Sequence, residues 1–173
     1  VTVQGNFSAD GGTIKLDGNY PVGTQNVALG DTALDSVAAD GNYNTAIGHA
    51  SLTANTTGDT NSALGRESLL SNTTGSANTA VGYTALLNNT TASNNTAVGY
   101  QAGYSNTTGS NNQILGYQAG YTNTTGSNNL ALGTGALFAN TTASDNTAVG
   151  CGVTAVAGGA LVSNTTGTRN AAF

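Results

Sequence analysis

The sequence predicts an all-β fold, a parallel β-solenoid (β-roll) of 17-residue coils, and three observations support this prediction. The motif N-x-A-[VIL]-G recurs, every copy has an aliphatic residue at its fourth position, and the helix formers Lys, Arg, Glu, Gln and Met are scarce. The motif is spaced by 18 residues once and by 17 thereafter, starting at Asn26, Asn44, Asn61, Asn78, Asn95, Asn112, Asn129 and Asn146, and the copy at Asn112 has Ile114 in place of the alanine. Seventeen residues are too few for the helix pair of an α-solenoid, which needs about 33 to 47.

Each coil is numbered from its first asparagine, and the residues assign a structure to each part of it. Positions two to five, as in N-T-A-V-G, predict a short strand followed by a bend at glycine. The A-L-L or A-G-Y segment predicts a second strand, and N-T-T-G-S-N predicts turns. Stacked coils must bury their apolar side against neighbouring coils, so the chain is expected to form a rod.

The repeat also defines the domain organisation. Residues 1–25 lie outside it and predict two short strands that form a cap or an attachment segment. Residues 26–173 form the solenoid domain, whose last full coil carries seven extra residues within about 151–163. Such an insertion is expected to leave the rod as a loop or an extra strand pair, either as a contact with a partner or as a local cap.

Composition argues against several functions. Lys and Arg number 3 and Asp and Glu number 8, giving a net charge of −5, so a nucleic-acid partner is not expected. No run approaches the roughly 20 apolar residues of a membrane helix, so membrane insertion is not expected either.

The residues offer little for catalysis. His49 is the only histidine, and Cys151 is the only cysteine, at a variable sixth position that predicts surface exposure. Neither a metal cluster nor a histidine relay is therefore expected, and Asp31, Asp35 and Asp40 are interpreted as turn residues. We predict a protein that is not an enzyme and needs no cofactor.

The alternation of the first strand leads to a prediction about its two sides. We expect the aliphatic fourth position to point into the solenoid and the Ala and Gly of positions three and five to face outward. Small outward residues suggest close approach of another backbone, so Ala63, Ala80, Ala97 and Ala131 are candidate protomer contacts. The alternative is that they only ease a tight bend.

Tyrosines provide a candidate recognition surface. Tyr83, Tyr100 and Tyr117 share the sixth position of consecutive coils and are expected to form an outward ladder. Such a ladder can bind sugars or a protein partner, or it can simply stabilise the stack. Tyr104 and Tyr121 follow a glycine where other coils have leucine, and we expect them to fill the vacated core volume.

The recurring N-T-T matches the acceptor pattern for N-glycosylation. The candidate acceptors share the twelfth position of the coil: Asn55, Asn72, Asn89, Asn106, Asn123, Asn140 and Asn164. The alternative is an Asn/Thr ladder whose side chains hydrogen-bond from coil to coil.

The segments N-T-A-V-G-Y-Q-A (95–102) and N-V-A-L-G-D-T-A (26–33) resemble the repeats of two families. They are similar to the N-S-V-A-I-G units in the heads of trimeric autotransporter adhesins, which build a trimerising parallel β-roll. They also resemble the N-T-A-x-G-Y-Q-A and N-T-T-G arrays of bacteriophage tail fibres. The resemblance implies a structural subunit of an extracellular or virion fibre that associates with itself, as a homotrimer or an axial homopolymer. The alternative is an adhesin or receptor-binding head that recognises a cell-surface glycan or protein.

The last residues, N-A-A-F, match the first four positions of a further coil. Such a coil needs a neighbour to cover its open edge. We expect either a longer chain or head-to-tail assembly, with contacts from Val1, Val3 and Phe7 of one copy to Phe173 of the next.

Overall fold

The computed structural model describes residues 25–38, 40–151 and 160–173, and these form a parallel β-solenoid. Consecutive coils supply one short strand each, and the strands pair in chain order as a single parallel sheet. The strands are β1 Val27–Leu29, β2 Thr45–Ile47, β3 Ser62–Leu64, β4 Thr79–Val81, β5 Thr96–Val98, β6 Gln113–Leu115, β7 Leu130–Leu132, β8 Thr147–Val149 and β9 Ala171–Ala172. The fold class predicted from the repeat is confirmed.

The glycine at position five follows each of β1 to β8, and after β1 to β7 the next coil lies directly against it. Gly99 has φ of +135°, and a Cβ placed on it would lie 2.5 Å from the carbonyl oxygen of Gly116 in the following coil. No side chain fits at that distance. Glycine at this position therefore allows neighbouring coils to stack at strand spacing.

The second strand predicted for each coil is wrong in the parts of the chain that the structure describes. The A-L-L and A-G-Y segments form turns, because positions seven and nine have left-handed backbone, as in Thr84 (φ 50°) and Leu86 (φ 50°). The turns still bond from coil to coil, since Leu86 N–H donates to Ala102 O at 3.0 Å. Stacking, and not an extended backbone, satisfies these polar groups.

The core contains the alanine of position three, the alanine or serine of position eight and the leucine of position nine. Ala97, Ala102 and Leu86 are all fully buried and belong to one hydrophobic cluster that runs along the rod. Each layer is thin, so most of its apolar burial comes from contact with the layers on either side.

The predicted orientation of the strand is wrong. The position-three candidates Ala63, Ala80, Ala97 and Ala131 are at most 1% exposed, whereas the position-four side chains Leu64 and Leu132 are 49% and 42% exposed. The four alanines therefore cannot touch another protomer through their side chains. The interior is already occupied by the position-nine leucines and by buried asparagines, so only a methyl group fits at position three.

Ile114 replaces alanine at position three where leucine is missing from position nine. A Cβ on Gly103 would lie 3.1 Å from Ile114 Cδ1, so the isoleucine fills the space of the absent leucine side chain. Tyr104 and Tyr121, which we expected in that space, are instead half-buried and stack on each other at 5.1 Å, outside the core cluster. That expectation is wrong.

Candidate interaction surfaces

The outer side of the β-sheet is an uncharged, largely aliphatic surface. We call it the sheet face and define it by the outward residues of β1 to β8 at positions two and four. Position four contributes Leu29, Ile47, Leu64, Val81, Val98, Leu115, Leu132 and Val149. Position two contributes Val27, Thr45, Ser62, Thr79, Thr96, Gln113, Leu130 and Thr147. Every one of these residues is exposed or half-buried.

Sequence reasoning missed the sheet face because it placed the aliphatic column inside. Along the described strands the face carries no charge, and Val98 and Leu64 leave 37% and 49% of their surface in solvent. An apolar row this regular on an open sheet is typical of a surface that packs against another protein.

The tyrosine ladder, which comprises Tyr83, Tyr100 and Tyr117, has the predicted outward geometry. Ring centroids are 5.3 and 5.2 Å apart, and the interplanar angles are 12° and 8°. The guanidinium carbon of Arg66 lies 5.7 Å from the Tyr83 centroid, so a cation covers the first ring. The rings cover one another's faces and present edges and hydroxyl groups outward. Recognition of a sugar or protein by this ladder stays a prediction.

A second aromatic stack consists of Tyr104, Tyr121 and Phe138 at position ten. The centroids of Tyr121 and Phe138 are 5.3 Å apart, with rings within 7° of parallel. All three rings are half-buried. This stack offers less free surface than the tyrosine ladder, whose three rings are all exposed.

The asparagines of the N-T-T motif form a buried ladder, which we call the second asparagine ladder. Asn72 Nδ2 donates to Asn55 Oδ1 at 2.8 Å and to Gly75 O at 2.9 Å, and the pattern repeats through Asn140. The residues of this ladder from Asn55 to Asn140 are at most 2% exposed. The structure thus contains the Asn/Thr ladder that was the alternative to glycosylation.

This geometry does not fit an attached glycan. A glycan linked to Nδ2 would replace one of its two hydrogens, and at Asn72 both hydrogens are used in hydrogen bonds inside the rod. The threonines that follow bond similarly, since Thr73 Oγ1 donates to Thr90 O at 3.0 Å. The motif is explained by stacking.

The asparagine at position one builds a first asparagine ladder on the other side of the turn. Asn61 N–H donates to Asn44 Oδ1 at 2.8 Å, and Asn61 Nδ2 donates to Gly75 O at 2.8 Å. Gly75 O therefore accepts from both ladders, because Asn72 Nδ2 also reaches it. Two rows of buried amides fix the turn between them.

The remaining candidate residues are scattered. Phe173 is 92% exposed, whereas Val1, Val3 and Phe7 lie outside the described residues, so end-to-end contact stays a prediction. Cys151 is exposed, as expected for position six, and most of the insertion, residues 152–159, also lies outside the description.

Among the charged groups of the described residues, two pairs of opposite charge lie within 4 Å. His49 Nε2 is 3.9 Å from Asp31 Oδ2, and Arg66 Nη2 is 2.9 Å from Glu67 Oε1. Within residues 25–38, 40–151 and 160–173, no three His, Cys, Asp or Glu side chains converge as a metal site would require. These same ranges contain no helix long and apolar enough to cross a membrane.

Comparison of the chain with protein-family models, curated proteins and solved structures finds no match to any of them. The function is therefore inferred from the surfaces of the protein.

Proposed function

We propose that this protein is a non-enzymatic structural subunit of an extracellular or virion fibre, whose copies associate side by side through the sheet face. The observation that supports this proposal is the uncharged aliphatic column at position four, which is partly exposed over eight consecutive coils. Burying a Val or Leu side chain completely contributes about 1.5–3 kcal/mol, so covering the exposed parts of eight favours association. The resemblance to trimeric adhesin heads makes three the expected number of copies.

The size of the face predicts how strong this association is. Eight strands at about 4.8 Å spacing and about 10 Å in length give a footprint of roughly 400 Å². A standard interface buries about 800 Å² on each partner. We therefore expect a concentration-dependent equilibrium for this segment and firmer association in a longer array of the same coils.

Light scattering over a wide concentration range, with Val98→Lys and a matched control, tests this proposal. Val98→Lys places a charge on the sheet face without entering the core, so we expect a folded monomer at concentrations where the unmodified protein is oligomeric. Thr108→Lys adds the same charge at an exposed turn threonine and should leave the mass unchanged. Equal masses for all three proteins at every concentration would refute association through this face.

A recognition head is the second candidate function, and the tyrosine ladder favours it. The ladder presents phenol edges and hydroxyl groups from three consecutive coils. The charged group that lies over one of its rings is the guanidinium of Arg66. Neutral sugars suit such a surface. Screening immobilised glycans with the unmodified protein and with Tyr100→Ala tests this function, because binding that the substitution does not weaken would exclude the ladder.

A further inference from the structure

The sheet face repeats itself, and this leaves side-by-side association without a defined register. If one copy slides by one coil, aliphatic residues still meet aliphatic residues at position four, and Thr still meets Thr or Ser at position two from β2 to β5. Such exchanges change the buried area little. A repeating face therefore needs a residue that differs from its neighbours to specify one alignment.

Gln113 is such a residue. It is exposed at position two of β6, where the other coils have Thr, Ser, Val or Leu. Its main-chain N–H bonds to Asn129 O at 2.8 Å, but its side-chain amide makes no hydrogen bond within the described chain. It is also the only carboxamide on the sheet face of β1 to β8.

The partner that suits Gln113 is the same residue of a second, parallel copy. A carboxamide carries both donors and an acceptor, so two copies at the same level can bond to each other. A slip of one coil would instead place Gln113 against Thr96 or Leu130, and leucine offers no polar atom. Fully overlapping antiparallel copies would pair β6 with β3, which offers only the Ser62 hydroxyl group.

We infer that Gln113 sets the axial register and the parallel orientation in which copies of this chain associate. The inference rests on the proposed association through the sheet face, and it identifies the partner as a second copy with the same coil spacing. An unpaired amide trapped against an aliphatic face is unfavourable, so Gln113 disfavours misaligned assemblies more than it stabilises the aligned one.

Disulfide trapping in a Cys151→Ser background measures the register. Thr79→Cys reports aligned copies, because equivalent cysteines lie at one level. A mixture of Thr79→Cys with a mass-tagged Thr45→Cys reports copies that have slipped by two coils, in which Gln113 meets a threonine on β4 or β8 and no second carboxamide. In aligned copies these cysteines, on β4 and β2, lie about 9.6 Å apart along the rod. That distance exceeds the roughly 7 Å limit for bridging two cysteines.

With Gln113 present, we expect Thr79–Thr79 links to exceed Thr79–Thr45 links at least tenfold. Gln113→Thr restores the common residue of position two, and we expect it to raise the slipped links several-fold. The matched control is Leu130→Thr, which also restores the pattern but removes no amide, and it should leave the ratio unchanged. Thr108→Cys, outside the sheet, should give no links.

The two ways of failing are distinct. If the ratio of aligned to slipped links is the same in Gln113→Thr as with Gln113 present, the inferred role of Gln113 is wrong. The association through the sheet face would then still stand. Absence of any Thr79→Cys links, in a protein whose circular dichroism shows it folded, would overturn the association and the register inference with it.

Discussion

Ile114 occupies the space beside Gly120, so that a Cβ placed on Gly120 would lie 3.2 Å from Ile114 Cδ1. Gly103, one coil earlier, has the same relationship to this side chain at 3.1 Å. Two coils that lack the position-nine leucine thus share one isoleucine at position three. The core thus remains filled along the rod, although the side chain that fills it comes from position three here and from position nine in the other coils.

Ile114→Ala should therefore open a cavity that a leucine at position nine can refill. We expect a loss of about 2–5 kcal/mol in the free energy of unfolding, measured by urea titration. Gly120→Leu alone should also destabilise, because the leucine meets Ile114, although leucine tolerates this backbone at Leu86 and Leu137. The double variant with Ile114→Ala and Gly120→Leu should recover most of the lost free energy of unfolding. Additive losses would show that the two positions do not share a space.

Ala97 and Val98 are adjacent residues of β5 that face opposite sides, and the same substitution at each should have different effects. Ala97→Asp buries a charge among apolar side chains and should prevent folding, because an unpaired buried carboxylate costs several kcal/mol. Val98→Asp should retain the circular dichroism of the folded protein and lose only self-association. If Val98→Asp unfolds and Ala97→Asp folds, the assignment of the two sides is wrong.

Asn89 is a central member of the second asparagine ladder, and Asn89→Ala should be strongly destabilising. Its Nδ2 donates to Asn72 Oδ1 at 2.8 Å, and its Oδ1 accepts from Asn106 at 2.9 Å. Both partners would remain buried without it, so we expect a loss of about 2–4 kcal/mol in urea titration.

The control is Asn88→Ala, which removes the neighbouring half-buried asparagine, a residue outside both ladders. Its effect should stay within about 0.5 kcal/mol. Equal losses at the two positions would contradict a specific role of the buried ladder.

Tyr100 lies in the middle of the tyrosine ladder, and Tyr100→Ala should remove both stacking contacts. We expect a loss of about 1 kcal/mol, because the ring is partly exposed and its stacking replaces contact with water. Near-ultraviolet circular dichroism should show the loss of coupling between the rings. Tyr43→Ala removes an exposed tyrosine outside the ladder, and an equal effect there would argue against stacking as the cause.

The sequence alone predicts the coil length, the parallel stacking and the tyrosine ladder, because these follow from strict spacing. It does not determine which side of the strand is buried, since alanine and valine are both apolar and alternate in either case. Which side of the strand is buried depends on the volume left inside the coil. That volume is small because Asn72, which the sequence pattern places in a turn, and Asn78, which begins a coil, are fully buried in the two asparagine ladders.

The expectation for Tyr104 and Tyr121 was wrong for a related reason. The missing leucine at Gly103 and Gly120 does leave a volume deficit, but the nearest side chain in sequence does not fill it. Ile114, eleven residues beyond Gly103, is the residue that fills it, because positions three and nine meet only when coils stack. The departure from alanine at Ile114 was the available signal.

The asparagine ladders have a mechanical consequence. Their bonds run from one coil to the next, so a force that pulls the rod lengthwise stretches them along their own direction. Bonds at one junction share the load in parallel, whereas the junctions act in series, like links of a chain. The rupture force is therefore that of the weakest junction and not of the average one.

The first junction is weaker by one row of bonds. Val37 occupies the place of the position-twelve asparagine, so Asn55 Nδ2 donates to Gly58 O at 2.9 Å without a carboxamide oxygen in the coil before it. The first asparagine ladder still crosses this junction, since Asn44 N–H bonds to Asn26 Oδ1 at 2.7 Å. Under tension, the junction between the coils that begin at Asn26 and Asn44 therefore has one row of carboxamide bonds fewer to share the load than the junctions between the later full coils.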